Sequence, residues 1–314
     1  MSEGKAPPGV ICALITPFRN DEADLASLGR VIEFQLAKGI HGLFVLGTTG
    51  EGPILQPEER KRIAEFAVSQ VAGRAPVIVH CGAPDTKTAA ELARHAEAIG
   101  ADAVAVVAPF YFHYRDAPLY RHFTAIAEAA PGIDHYVYQN PEAVGYSLHV
   151  DLVLRLVEDV DNIRGVKDTG DSIARITSYL AHRGRRPEVY AGNNSIIFQA
   201  LCTGARGAVS ALANASPELA VALYDAWKEG RNDDALALQF TLNKLHTSLD
   251  GLPFVGAVKY LVERRGFPAG ETRAPQPLLD AEQSAALERR LEAAEDLGPW
   301  LEPAGKAGSA ASRR

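Results

Sequence analysis

Residues 76–109 read PVIVHCGAPDTKTAAELARHAEAIGADAVAVVAP. Two short apolar runs, Pro76–Gly82 and Ala103–Pro109, frame a segment with one polar face. Within that segment Asp85 can cap a helix, Leu92, Ala96 and Ile99 share one face, and Gly100 supplies the stop. A nearly unbroken apolar run bounded by turn residues is what a parallel strand covered on both faces requires. The stretch predicts strand, helix, strand.

The same rhythm extends in both directions. Upstream lie Val10–Pro17 and Gly42–Gly47; downstream lie His135–Tyr138, Ile163–Lys167, Val189–Gly192 and Ala208–Ala213. Helical segments separate these runs. Asp24 caps one that turns Leu25, Leu28, Val31 and Ile32 inward and ends at Gly39. Pro57 opens another, with Glu58 and Glu59 in its first turn and Ile63, Phe66 and Ala67 facing inward. Ser216-Pro217-Glu218 starts a further helix that Gly230 stops.

Strand–helix units in unbroken succession predict an α/β fold, a (β/α)8 TIM barrel over residues 9–230. An open doubly wound sheet is the alternative, but the phosphate-binding pattern G-x-G-x-x-G that often accompanies it is absent. After residue 231 the strands stop. Asp234–Leu249, Pro253–Arg265 and Asp280–Leu297 read as a C-terminal helical extension over 231–300, and residues 1–8 and 304–314 read as flexible termini.

Composition narrows the function classes. Of 314 residues, 47% are hydrophobic and 23% charged, a balance that supports a large core and is too polar for a membrane protein. Met1–Pro8 lacks the apolar stretch of a signal peptide, so the expected address is cytoplasmic. A net charge of -7 with no basic stripe argues against a nucleic-acid partner. Cys12, Cys81 and Cys202 are too sparse for a disulfide framework or a zinc pattern.

In a barrel of this kind, chemistry collects where strands end. One run ends in Gly47-Thr48-Thr49-Gly50-Glu51, a tight turn with free backbone N–H groups and two hydroxyls, suited to a carboxylate. It can equally be an ordinary turn whose hydroxyls satisfy their own backbone. Another ends at Tyr138, which either carries protons or is an interior aromatic. A third ends in Val166-Lys167-Asp168-Thr169. A buried lysine there would be depressed toward a free amine, unless it reaches solvent or pairs with Asp168 or Glu51. The aromatic run Phe110-Tyr111-Phe112-His113-Tyr114 walls the cavity or packs on a neighbouring subunit. Together, turn, tyrosine and lysine describe imine chemistry on a 2-oxo acid.

These motifs resemble the N-acetylneuraminate lyase / dihydrodipicolinate synthase superfamily of pyruvate-dependent class I aldolases. The resemblance runs from about residue 9 to 300 through Ala13–Phe18, Gly47–Glu51, Pro109–Tyr111, Tyr138 with Pro141 and Gly145, Gly165–Thr169, Ala191–Asn193 and Ala213–Glu218. It implies Lys167 as Schiff-base lysine and Tyr138 as general acid/base. It implies Thr48 as a hydroxyl relaying protons toward Tyr111 of a neighbouring subunit, and Thr49 with Gly50 as the pyruvate-carboxylate turn. A homotetramer built as a dimer of dimers, free of metal and organic cofactor, is implied as well.

Substrate choice turns on a few positions. Dihydrodipicolinate synthases carry an arginine for the second substrate's carboxylate where this chain has Ala143, beside Glu142. Motifs around Lys167 are similar to those of 2-keto-3-deoxygluconate and 4-hydroxy-2-oxoglutarate aldolases, which places Thr169, Gly192 and Asn193 against substrate hydroxyls. Gln139-Asn140 departs from both groups. The expected activity is a lyase joining or releasing pyruvate and an aldehyde. The alternatives are a 4-hydroxy-tetrahydrodipicolinate synthase or a sugar-acid dehydratase using the same imine. A metal-dependent aldolase would need clustered ligands, and histidines such as His95, His122, His149 and His182 fall in helical segments. A non-catalytic 2-oxo-acid binder would not require the full set of lysine, tyrosine and threonines.

Overall fold

The computed structural model describes residues 4–303. Eight parallel strands close into a barrel: β1 (Gly9–Ala13), β2 (Gly42–Val45), β3 (Val77–His80), β4 (Ala103–Val107), β5 (Asp134–Gln139), β6 (Ile163–Asp168), β7 (Glu188–Ala191) and β8 (Gly207–Ser210). Each strand pairs with its successor, and β8 returns to β1 through Val10↔Ala208 and Ile11↔Val209. Asn214 fastens that seam: its Nδ2 donates to Ala13 O (2.7 Å) and its Oδ1 accepts from Ile15 N (3.0 Å).

Helices α1 (Leu25–Ala37), α2 (Pro57–Val71), α3 (Thr86–Ala98), α4 (Asp116–Ala129), α5 (Val150–Asp159), α6 (Ile173–Leu180), α7 (Ile197–Thr203) and α8 (Pro217–Lys228) follow the strands in turn. Their ends form where local chemistry asks for them. Asp24 and Asp85 each accept a backbone N–H of the first turn, from Ser27 and Thr88, satisfying donors a helix start leaves unpaired. Gly39, Gly100 and Gly230 follow their helices at positive φ, a conformation glycine adopts without steric conflict.

Two hydrophobic layers result. Outward residues such as Val10, Val79, Val104 and Val166 pack under the helices. Inward residues, among them Ile11, Phe44, Ile78, Ala105, Tyr136 and Tyr190, fill the barrel itself. Strand periodicity accounts for the split, since alternate side chains must face opposite ways. Cys12 and Cys81 are buried and Cys202 is exposed, none in a disulfide.

Residues 4–8, part of the terminus expected to be flexible, lie against the barrel. Gly4 N–H donates to Glu188 (2.9 Å), Lys5 N–H to Asp134 (2.8 Å), and Ala6 is fully buried, so this segment closes the amino-terminal mouth of the barrel. Residues 1–3 and 304–314, the rest of the expected termini, lie outside the described residues.

Three long helices, α9 (Asn232–Ser248), α10 (Phe254–Arg264) and α11 (Ala281–Ala293), and the short helix Gly298–Leu301 continue the chain. Asp280 opens α11 with a reciprocal capping box to Gln283. Buried Arg265 ties this region to α8 through Glu218 (2.7 Å). Among the described residues no helix is long and apolar enough to cross a membrane.

Candidate active site

Lys167 lies near the carboxyl end of β6, a strand that is buried except at half-buried Arg164. The β5–β6 pairing shifts register between His135 and Tyr136, so that Gly165 stands opposite Tyr136 and Lys167 opposite Tyr138. That irregularity puts the lysine and the tyrosine side by side on the inner face. Gly165 is required in this strand: a Cβ there would sit 1.8 Å from Glu188 O.

The surroundings of Lys167 decide between the structural and the chemical readings. It is 5% exposed. Asp168, one proposed partner, faces away and is held by Arg175 (2.9 Å) and the Tyr179 hydroxyl (3.1 Å). Glu51, the other, pairs with Lys259 (2.7 Å). Among the described residues no carboxylate lies within ion-pair distance of Lys167; its ammonium stands over the rings of Tyr138 (3.6 Å) and Phe44 (4.4 Å). Burial pushes its pKa down, and the Tyr138 oxygen recovers only part of the shift. The group is thereby biased toward the nucleophilic free amine.

Tyr138 shows the complementary effect. Burial would raise its pKa, but the Lys167 charge and the hydroxyl of Thr48 outweigh it and bring the phenol below its ordinary value. The hydroxyls of Tyr138 and Thr48 are 3.3 Å apart. Asn140 joins them, its Nδ2 donating to Tyr138 (2.9 Å) and Thr48 (3.3 Å), while its Oδ1 accepts from Ala143 N–H (3.4 Å). Gln139 takes no part: its Oε1 receives Leu148 N–H (3.0 Å) and fastens the following loop. The partner of the Tyr138–Thr48 pair is thus the second residue of the unusual Gln139-Asn140 pair, not the first.

The Gly47–Glu51 turn closes over the end of β2 with Glu51 N–H on Thr48 O (3.1 Å) and Gly52 N–H on Gly47 O (3.1 Å). Gly50 approaches Leu14 O so closely that a Cβ would lie 2.8 Å from it. Thr49 is buried, and Thr48 is exposed at the rim. Thr169 and Gly192 meet beyond the end of β6: a Cβ on Gly192 would come within 2.6 Å of Thr169 Oγ1, a buried hydroxyl with no hydrogen bond within 3.5 Å that still helps to lower the Tyr138 pKa. Asn193 is committed locally, its Oδ1 accepting Ser195 N–H (2.9 Å) at a short helical turn.

Two sequence candidates stand apart from this cluster. Tyr111 is 85% exposed at φ 85°, edge-on to Phe112 (4.8 Å), with no hydrogen bond to Thr48 of its own chain. Ala143 is exposed on the four-residue helix Pro141–Val144, beside exposed Glu142. His80 was missed. Alternation along β3 puts it inward with Ile78, and its ring stands edge-to-face 5.7 Å from Tyr138. Burial, then Arg60 and Lys167, drives its pKa well down, and Nδ1 faces Leu46 O at 3.0 Å; the ring is neutral with its proton on Nδ1. Among the described residues no three His, Cys, Asp or Glu side chains gather as metal ligands. A groove of about 830 Å³ between α1 and α2, lined by Phe34, Phe66 and Phe267, lies outside the barrel and away from these groups.

Comparison with known proteins identifies the family. Residues 6–294 match the Dihydrodipicolinate synthetase family. An uncharacterized DapA-like lyase of Halobacterium salinarum is 37% identical, covering 90% of this chain and 92% of its own. A 4-hydroxy-tetrahydrodipicolinate synthase of Kosmotoga olearia is 36% identical over 85% of this chain and 91% of its own. The crystal structure of YagE in complex with pyruvate, a prophage protein of the dihydrodipicolinic acid synthase family from Escherichia coli K12, superposes with a TM-score of 0.87 at 32% identity. It covers 92% of this chain and 98% of that one. A barrel closed by eight parallel strands and a match across nearly the whole chain together make this protein a lyase of the dihydrodipicolinate synthetase family.

Proposed function

We propose that this lyase is a class I aldolase that releases or adds pyruvate through an imine on Lys167. The observation that carries the reading is a buried lysine whose two candidate counter-ions, Asp168 and Glu51, are both engaged by other cations. A structural lysine in that place would have one of them.

In the cleavage direction, the free amine of Lys167 attacks C2 of the 2-oxo acid and water leaves, giving the protonated imine. Tyr138, having given its proton to the departing water, is a phenolate beside the iminium cation and takes the proton of the C4 hydroxyl. The C3–C4 bond breaks, its electrons flow into the imine and the aldehyde departs. Protonation of the resulting enamine at C3 and hydrolysis return pyruvate and the amine. Thr48 passes protons between Tyr138 and the rim, where Tyr111 of a second copy completes the relay; the exposure of both residues in a single chain supports that division. Thr49 and the backbone of the turn hold the carboxylate. No step calls on a metal or an organic cofactor.

The substrate class follows from polar groups left over. The buried Thr169 hydroxyl, which packs closely against Gly192 and makes no hydrogen bond within 3.5 Å, favours a hydroxylated chain such as a 2-keto-3-deoxy sugar acid or another 4-hydroxy-2-oxo acid. Ala143 and Glu142 offer no cation for a second carboxylate. The names of relatives such as the Kosmotoga olearia enzyme favour a second reading, condensation of pyruvate with aspartate semialdehyde.

Incubation with pyruvate and borohydride, followed by intact mass and peptide mapping, tests the imine. One reduced pyruvyl group on Lys167 is expected; folded protein without an adduct refutes the assignment. Aldehyde screens then separate the substrates: turnover confined to aspartate semialdehyde would establish the second reading.

A further inference from the structure

The Thr48-Thr49 turn is held from beneath by the helical extension. Lys259, near the middle of α10, enters the space under the end of β1, and its side chain is 1% exposed. Its ammonium pairs with Glu51 (2.7 Å), donates to Thr16 O (2.8 Å) and also to Glu271 O. Thr16 in turn donates its hydroxyl to Gly50 O (2.8 Å). The other Glu51 oxygen accepts Arg273 N–H (2.7 Å), and Arg273 is anchored on Glu59 of α2 (2.7 Å). Glu51 itself holds φ 58°, a left-handed conformation that a non-glycine residue keeps only when its neighbours impose it.

An ion pair this deeply buried is poor value as a source of stability, because desolvation offsets most of the attraction. What it supplies is direction. Glu51 has one ligand on each oxygen, and Gly50 is fixed through Thr16, so both residues following Thr49 are held by groups outside their own turn. We infer that Lys259 is a positioning residue for the substrate carboxylate: through Glu51 and Thr16 it sets the orientation of the Thr48–Gly50 hydroxyls and N–H groups. The extension is therefore part of the binding site, although none of its residues reaches the reacting atoms. This inference rests on the reading that the turn binds the carboxylate.

The test compares two probes on the full-length protein. Pyruvate carries the carboxylate; methyl pyruvate keeps the ketone and lacks the charge. Lys167 labelling is followed with cyanoborohydride across a concentration series in wild type, Lys259→Met and the double variant Glu51→Gln/Lys259→Met. The double variant leaves no unpaired buried charge and keeps the test valid if the single variant fails to fold. Half-saturation for pyruvate is expected to rise about tenfold or more in the variants, the scale of a weakened charge-assisted contact, with methyl pyruvate labelling changed less than about twofold. Unchanged half-saturation for pyruvate in the double variant, or equal losses for both probes, would overturn the positioning role alone. Failure of wild type to label with pyruvate would overturn the parent reading and this one with it.

Discussion

Lys167→Met separates a functional lysine from a structural one by the sign of its effect on stability. Lysine and methionine are both long and unbranched, so the slot between Phe44 and Tyr138 stays filled. What changes is charge. A buried ammonium carries a desolvation penalty of several kcal/mol. Two ring faces, worth about 1–2 kcal/mol each, offset part of it, and no carboxylate supplies the rest. The variant should gain about 1–3 kcal/mol, with Tm rising about 2–4 °C for each kcal/mol. The pH dependence carries the same sign. The folded protein lowers the pKa of both Lys167 and Tyr138, so between the lowered values and the ordinary 10.5 and 10.0 it binds fewer protons than the unfolded chain. Stability due to this coupled pair therefore rises with pH across that window in wild type. In Lys167→Met one group is gone and the other has lost its depressing charge, so the rise should disappear. Urea unfolding at several pH values measures both effects, and turnover should fall by about 10⁴-fold or more with the loss of the covalent route. A variant destabilised by more than about 1 kcal/mol, with turnover largely intact, would refute the reasoning and make Lys167 a structural partner.

Tyr138→Phe should lower turnover by about 10²–10⁴-fold while pyruvate still labels Lys167, because proton transfer suffers more than imine capture; unchanged turnover in steady-state assays removes the phenol from the mechanism. Mixing inactive Lys167→Ala with Tyr111→Phe before refolding should restore about a quarter of wild-type activity, since half of randomly formed dimers are mixed and each holds one intact site. No recovery in a correctly refolded mixture would confine Tyr111 to its own chain. Ala143→Arg should raise kcat/KM for carboxylate-bearing aldehydes about tenfold relative to neutral ones, the scale of one added charge-assisted hydrogen bond; an unchanged ratio in paired assays places the second substrate elsewhere.

The barrel was legible because each of its signals is local. An apolar run such as Ala103–Val107 declares a doubly covered strand, and Asp24, Asp85 and Gly39 declare helix ends within a few residues of the turn they control. Lys167 and Tyr138 were legible as strand ends, but their adjacency depended on the irregular β5–β6 register, which brings Tyr138 opposite Lys167. Asn140 was read only as a departure, although an asparagine before Pro141 is a natural helix cap; the surplus Nδ2 hydrogens that reach Tyr138 and Thr48 are visible only once the turn is folded. His80 offered a strand-parity signal that went unused. The order of residues 4–8 had no local signal at all, since it arises from Glu188 and Asp134, more than a hundred residues away.

Lys167 and Lys259 show why composition and pattern stop short of function. Each lies in a largely apolar segment, one a strand and one a helix, and each is almost wholly buried with a pKa lowered chiefly by burial. Either could be written down from sequence as an anomalous lysine. The fold then gives Lys259 a carboxylate and two backbone carbonyls, so its charge is satisfied and its part is to hold Glu51 and Thr16 in place. It gives Lys167 two ring faces and a phenol, which tolerate a cation without fixing its proton. On the proposed mechanism reactivity belongs to Lys167, which among the described residues has no carboxylate within ion-pair distance, whereas Lys259 is committed to Glu51.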